Sequence, residues 1–88
     1  MSENEFKNYD LALKHYNTSL HLNKNPTYEV TILNNIGVVY KEKGESELAM
    51  KYLNDAYEKS LMFKTPKVTA RALDNLSSIQ SNANDTNA

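Results

Sequence analysis

The sequence predicts an all-α fold: a short stack of antiparallel helical hairpins with about four helices. Three observations carry this reading. First, a pattern returns after forty residues, so that Pro26, Leu33, Asn35 and Ile36 reappear as Pro66, Leu73, Asn75 and Leu76. A fixed period of this size marks a stacked repeat architecture. Second, apolar residues recur at spacings of three and four along most of the chain, and strand-like alternation is sustained nowhere. The β-prone run Val38-Val39-Tyr40 sits inside a longer helical stripe. Third, both prolines and one of the two glycines fall where helices would start or stop.

Each segment follows from those signals. The first is expected over about 5–22, with Tyr9, Ala12, Leu13, Tyr16, Ser19 and Leu20 on one face. The second is expected over about 26–43. Asn25 is placed to cap it and Pro26 suits its first turn, where a missing N–H costs nothing. Its stripe is Val30, Leu33, Ile36, Gly37 and Tyr40, and Gly44 suits the left-handed residue that closes a helix. The third, about 46–63, turns Leu48, Ala49, Tyr52, Leu53, Ala56, Tyr57 and Ser60 inward. The fourth, about 66–81, has Thr65 as N-cap and Pro66 in its first turn, and carries Ala70, Leu73, Leu76 and Ile79. Residues 1–81 make one helical repeat domain. The stretch 82–88 is polar, too poor in apolar surface to offset ordering entropy, and is expected as a disordered tail.

Segments two and four share one pattern at an offset of forty. Segments one and three share another at an offset of 37, aligning Ala12 with Ala49, Tyr16 with Leu53 and Ser19 with Ala56. Short connections make neighbours antiparallel.

Composition narrows the function classes. The 88 residues contain no cysteine, so neither a disulfide framework nor a thiolate metal site is available. Net charge is −1 with both signs interspersed, and no basic stripe exists to neutralise phosphates, so nucleic acid is not an expected partner. No apolar run reaches the ~20 residues of a membrane span, and the acidic, polar start is unlike a secretory signal. A soluble, cytoplasmic protein is expected. His15 and His21 are six apart and lie on different faces of one helix, which does not suit a shared metal. Asp10, Asp55, Glu58 and Asp74 form no repeated acidic spacing for acid–base work, Ser77-Ser78 lacks a nucleophile-elbow context, and no phosphate-binding glycine loop occurs. No enzyme activity, metal or cofactor is expected.

The run Asn35-Ile36-Gly37-x-x-Tyr40-x-x-x-Gly44-x-x-x-x-Ala49-x-x-x-Leu53-x-x-Ala56 resembles the tetratricopeptide repeat. Tyr9, Ala12, Tyr16 and Ser19 resemble the second helix of a preceding repeat, and Leu73, Leu76 and Ser77 the first helix of a following one. The sequence departs from the family at Leu33, where an aromatic is usual, at Ser46, and at Leu61, where a proline usually closes the repeat. The forty-residue spacing is similar to the longer variants of bacterial regulatory proteins and kinesin-light-chain-like arrays. The resemblance implies one full repeat between two half repeats, coiled as a short right-handed α–α superhelix. Gly37, Ala49 and Ala56 would let backbones approach, with Tyr40 and Leu53 filling the space between repeats.

It also implies a binding function. First helices of the family line a concave groove that holds an extended peptide. Carried over, that groove would be Thr31, Asn34, Asn35, Val38 and Lys41, with Arg71, Asp74, Asn75 and Ser78 opposite. The asparagine amides can donate to and accept from a peptide backbone, and Lys41 and Arg71 can meet a carboxylate. The family's carboxylate clamp is not matched, so capture of a peptide C-terminus is not expected. An alternative is assembly. Segment one would lack a covering helix, leaving Tyr9, Leu13, Tyr16 and Leu20 as an open apolar strip for self-association, or for docking onto and regulating a larger repeat protein. The expected partners are thus a protein or peptide, or a second copy of the chain.

Overall fold

The computed structural model describes the backbone of residues 8–87 and the side chains of residues 8–80. Within that range the chain is four helices in sequence: α1 (Tyr9–Leu22), α2 (Pro26–Lys43), α3 (Ser46–Met62) and α4 (Pro66–Asn87), with no strand among the described residues. The expected start of α1 near residue 5 lies outside the described residues. At the other end α4 continues through Asn87, so 82–87 is helical backbone where the composition predicted a tail. A helix already under way adds one bond per residue, so extension needs no further apolar burial. No helix among the described residues is long and apolar enough to cross a membrane.

Local chemistry fixes most of the boundaries. Asn8 Oδ1 accepts from Leu11 N–H at 3.0 Å and Asn25 Oδ1 accepts from Thr27 N–H at 2.9 Å, so α1 and α2 both begin on asparagine caps. Thr65 does not cap α4 with its side chain. Its hydroxyl instead donates back to the Ser60 carbonyl at 3.3 Å. The turns after α2 and α3 share one construction. Gly44 sits at φ 89° and the next amide, of Glu45, donates to Tyr40 O at 2.9 Å. Lys64 sits at φ 59° and the next amide, of Thr65, donates to Ser60 O at 2.8 Å. Both are left-handed helix closures of the Schellman type. The second went unseen in the sequence because lysine occupies the place where glycine is the usual signal.

α2 organises the packing, because it contacts α1, α3 and α4. Its Ile32 and Ile36 bury Leu13 of α1, with Tyr16 and Leu20 half-buried around them. Its Val30 and Leu33 share a cluster with Ala56 of α3 and Val68 of α4. Gly37 marks the closest approach to α3: a Cβ there would stand 2.6 Å from Leu53 Cγ and 3.3 Å from the Ala49 carbonyl oxygen. Leu53, fully buried, packs with Ala49 and with Ile79 of α4, and Tyr40 stacks on Tyr52 at 5.4 Å. Two expectations change. The covered side of α4 is Val68, Ala72 and Ile79, whereas Ala70 and Leu73 face outward. And the apolar strip of α1 is covered in part, because α2 has a second apolar side, centred on Ile32, that buries Leu13 and leaves Tyr9, Tyr16 and Leu20 half-buried.

Ion pairs brace the hairpins at their ends. Lys59 Nζ of α3 lies 3.1 Å from Glu29 of α2 and 3.7 Å from Asp55. Lys43 Nζ at the end of α2 lies 3.5 Å from Asp10 of α1 and 3.6 Å from Glu45. The hydrogen bond with Glu29 holds the Lys59 ammonium above the ordinary lysine range, against some desolvation and with help from Asp55. At Lys43 desolvation works against the shift, and Asp10 and Glu45 outweigh it.

Three outcomes are expected. Gly37→Val forces apart the α2–α3 contact and destabilises the protein by about 1–3 kcal/mol in chemical denaturation. Lys64→Gly relieves a side chain held at positive φ and raises stability by up to ~1 kcal/mol, whereas Gly44→Ala lowers it by a similar amount. A lysine whose pKa is raised on folding stabilises fully below its unfolded pKa of about 10.4, and that contribution disappears as pH rises through the folded value. Stability measured from neutral pH upward should therefore fall above pH ~10.5 by roughly 0.2–1 kcal/mol more in the wild type than in Lys59→Met.

Candidate functional site

α2 and α4 lie side by side and run in the same direction. Their N-terminal turns flank one depression, and Asn34 and Lys41 of α2 both find Asn75 of α4. This parallel pairing follows from the two antiparallel hairpin turns that α3 connects. It brings the two proline-headed helices together across the recurrence seen in the sequence.

The centre of the face is a short polar chain. Asn75 Nδ2 donates to Asn34 Oδ1 at 3.3 Å, and Lys41 Nζ donates to Asn75 Oδ1 at 3.5 Å. Asn34 is 4% exposed, so its acceptor lies in the contact between the helices. A buried amide left without a partner would cost about 1–3 kcal/mol. The Asn34–Asn75 bond removes that cost and fixes the register of α4 on α2. Asn34, expected to line the groove, is therefore a scaffold residue and presents little surface to a ligand. Asn75 and Lys41 are half-buried and partly engaged by each other. Asn35, also half-buried, makes no side-chain hydrogen bond among the described residues.

The other expected positions divide by exposure. Val38 and Ser78 are half-buried, and Arg71 and Asp74 are exposed, neither in an ion pair among the described residues. Toward the helix N-termini the face opens into a depression of ≈ 370 Å³ walled by Thr27, Thr31, Lys67, Val68 and Arg71. Thr31 and Arg71 were expected on this face from the sequence. Thr27 and Lys67 were not, although each sits one helical turn before one of those two. The depression carries threonine hydroxyls on one wall and two cations on the other, around an apolar floor at Val68.

The four α1 residues expected to mediate association are placed otherwise. Leu13 is buried, and Tyr9, Tyr16 and Leu20 are half-buried. The large apolar side chains that α1 does expose are Leu11 and Leu22.

A family model described as tetratricopeptide repeat matches residues 30–58. That span begins at Val30 in α2, passes the Gly44 turn and ends at Glu58 in α3, which makes it the α2–α3 hairpin. No curated protein and no solved structure gives a significant match to the chain. The close contact of Gly37 with Leu53 and Ala49, the glycine closure and the family match fall on the same residues, so the α2–α3 hairpin is the part of the chain that is similar to a tetratricopeptide repeat.

Proposed function

We propose that this protein is a non-catalytic interaction module that holds an extended peptide segment of a partner protein along the α2/α4 face. The supporting observation is the parallel seating of α2 and α4, with a depression that carries two cations and, one helical turn beyond its Thr31, Asn35 without a side-chain hydrogen bond among the described residues. A peptide backbone is a row of alternating donors and acceptors. An amide side chain satisfies one of each, which anchors an extended chain without reading its sequence. Sequence preference would come from the depression: Lys67 and Arg71 favour an acidic side chain, and the apolar floor at Val68 favours a small aliphatic neighbour. The face is short, so its affinity rests on few contacts, and a small number of anchors should dominate it.

Selection of a displayed random-peptide library against the full chain tests the reading. The expected binders carry an aspartate or glutamate. Asn35→Ala or Arg71→Ala should weaken each of them about tenfold or more, the size of one charge-assisted or backbone hydrogen bond. Asn34→Ala should instead lower thermal stability through the α2–α4 contact. A selection that yields no binder, or binders indifferent to both Asn35 and Arg71, would overturn the proposal.

A further inference from the structure

The first and last of the described helices differ from α3 and α2 in a way that points to one another. At the forty-residue offset, the side of α2 that faces α3, made of Val30, Leu33, Gly37 and Tyr40, corresponds in α4 to Ala70, Leu73, Ser77 and Gln80. The α2 set is buried or half-buried, whereas the whole α4 set is exposed, Leu73 at 48%. No described residue covers that side of α4. Beside it runs a groove of ≈ 510 Å³ walled by Leu61, Thr65, Pro66, Thr69, Ala70 and Leu73.

α1 shows the converse. In α3, Ala49, Leu53 and Ala56 are fully buried, clustering with residues of both α2 and α4. Their counterparts at the 37-residue offset, Ala12, Tyr16 and Ser19, are only half-buried, since α1 contacts α2 alone among the described helices. The side of α1 away from α2 ends in Leu22, 69% exposed, at the position where α3 has Lys59, the residue that reaches across to Glu29 of α2. In α4 the counterpart of Glu29 is Thr69, inside the open groove.

We infer that copies of this chain associate head to tail, the open side of α4 in one copy receiving the open side of α1 in the next. The α2–α3 hairpin supplies the template. Superimposed on it, Leu73 falls opposite Ser19, Ser77 opposite Tyr16, and Leu22 enters the groove beside Thr69. The pairing sets large residues against small ones, as Leu53 meets Gly37 within one copy. A second copy is the occupant because the chain itself carries the one helix of the α3 type whose matching side is uncovered. Among the described residues α1 and α4 of one copy make no contact, so the pairing is intermolecular. The two surfaces differ, which makes the contact heterologous. It therefore grows as an open chain unless its rotation closes a ring. A single helix pair buries less than the ~1,200–2,000 Å² of a standard interface, so assembly belongs at high micromolar concentration.

Sedimentation velocity on the full chain, from roughly 10 µM to 1 mM, tests this with four samples: wild type, Leu73→Glu, Leu22→Glu, and an equimolar mixture of the two variants. The wild-type mass should climb with concentration beyond a dimer. Each variant alone should stay a monomer with wild-type helicity, because both positions are solvent-facing. The mixture should form a dimer and stop, since each variant keeps one intact end and the two intact ends fit each other. Ala70→Glu provides a second block on α4 should Leu73→Glu lose helicity. A wild-type mass constant over the range, assembly that persists in either variant, or a mixture that stays monomeric would each overturn the inference.

Discussion

The separation of α2 from α3 is set at Gly37, where a single added carbon would enter the van der Waals shell of Leu53 and press on the Ala49 carbonyl. The rest of the architecture depends on that spacing. With the two backbones this close, Leu53 is driven to full burial and reaches the cluster that seats Ile79 of α4. Ala56 is brought against Val30 and Leu33, leaving room for Val68 on the far side. A side chain at position 37 would tilt α3 outward, and α4, which rests on α3, would be carried with it. The asparagine bridge between α2 and α4 could then no longer close. Glycine is costly inside a helix, by about 1 kcal/mol relative to alanine. Here that cost is offset by the packing of two further helices.

α2 owes its central place to being apolar on more than one side. One side meets α1 through Ile32 and Ile36, another meets α3 through Val30, Leu33 and Gly37, and a polar side meets α4 through Asn34 and Lys41. A helix enclosed on three sides loses the single clean stripe that periodicity seeks. That is why the pattern from Val30 to Tyr40 revealed one contact and concealed the next. Ile32, outside the Val30–Tyr40 stripe, covers Leu13 of α1 together with Ile36.

Helix number, type and most boundaries were legible because proline, asparagine and glycine act locally, at Asn25, Pro26 and Gly44. The closure at Lys64 was not, since its left-handed backbone is imposed by the α3–α4 junction and not by the residue itself. The inward side of α4 was misread for a related reason. Repetition at forty residues makes Leu73 equivalent to Leu33, and equivalence in sequence becomes equivalence in burial only where the neighbouring helix is also present. In the candidate site, the placement of Asn75, Lys41, Thr31 and Arg71 on one face was implied by the resemblance to the tetratricopeptide repeat, and the structure brings Lys41 to Asn75 and sets Thr31 and Arg71 around one depression. The fate of Asn34 was not legible, because whether an amide bonds to the scaffold or waits for a ligand depends on how deeply one helix sinks into another.

Among the described residues, contacts join helices adjacent along the chain, plus a pairing of α2 with α4. Such connectivity makes stability a sum over neighbours and not a property of one shared centre. α1, held by α2 alone, can detach without disturbing the seating of α3 or α4. Release of α2, by contrast, dissolves every interface but one. Amide hydrogens should therefore exchange with solvent along a gradient, earliest in α1 and last in the paired turns around Gly37 and Leu53.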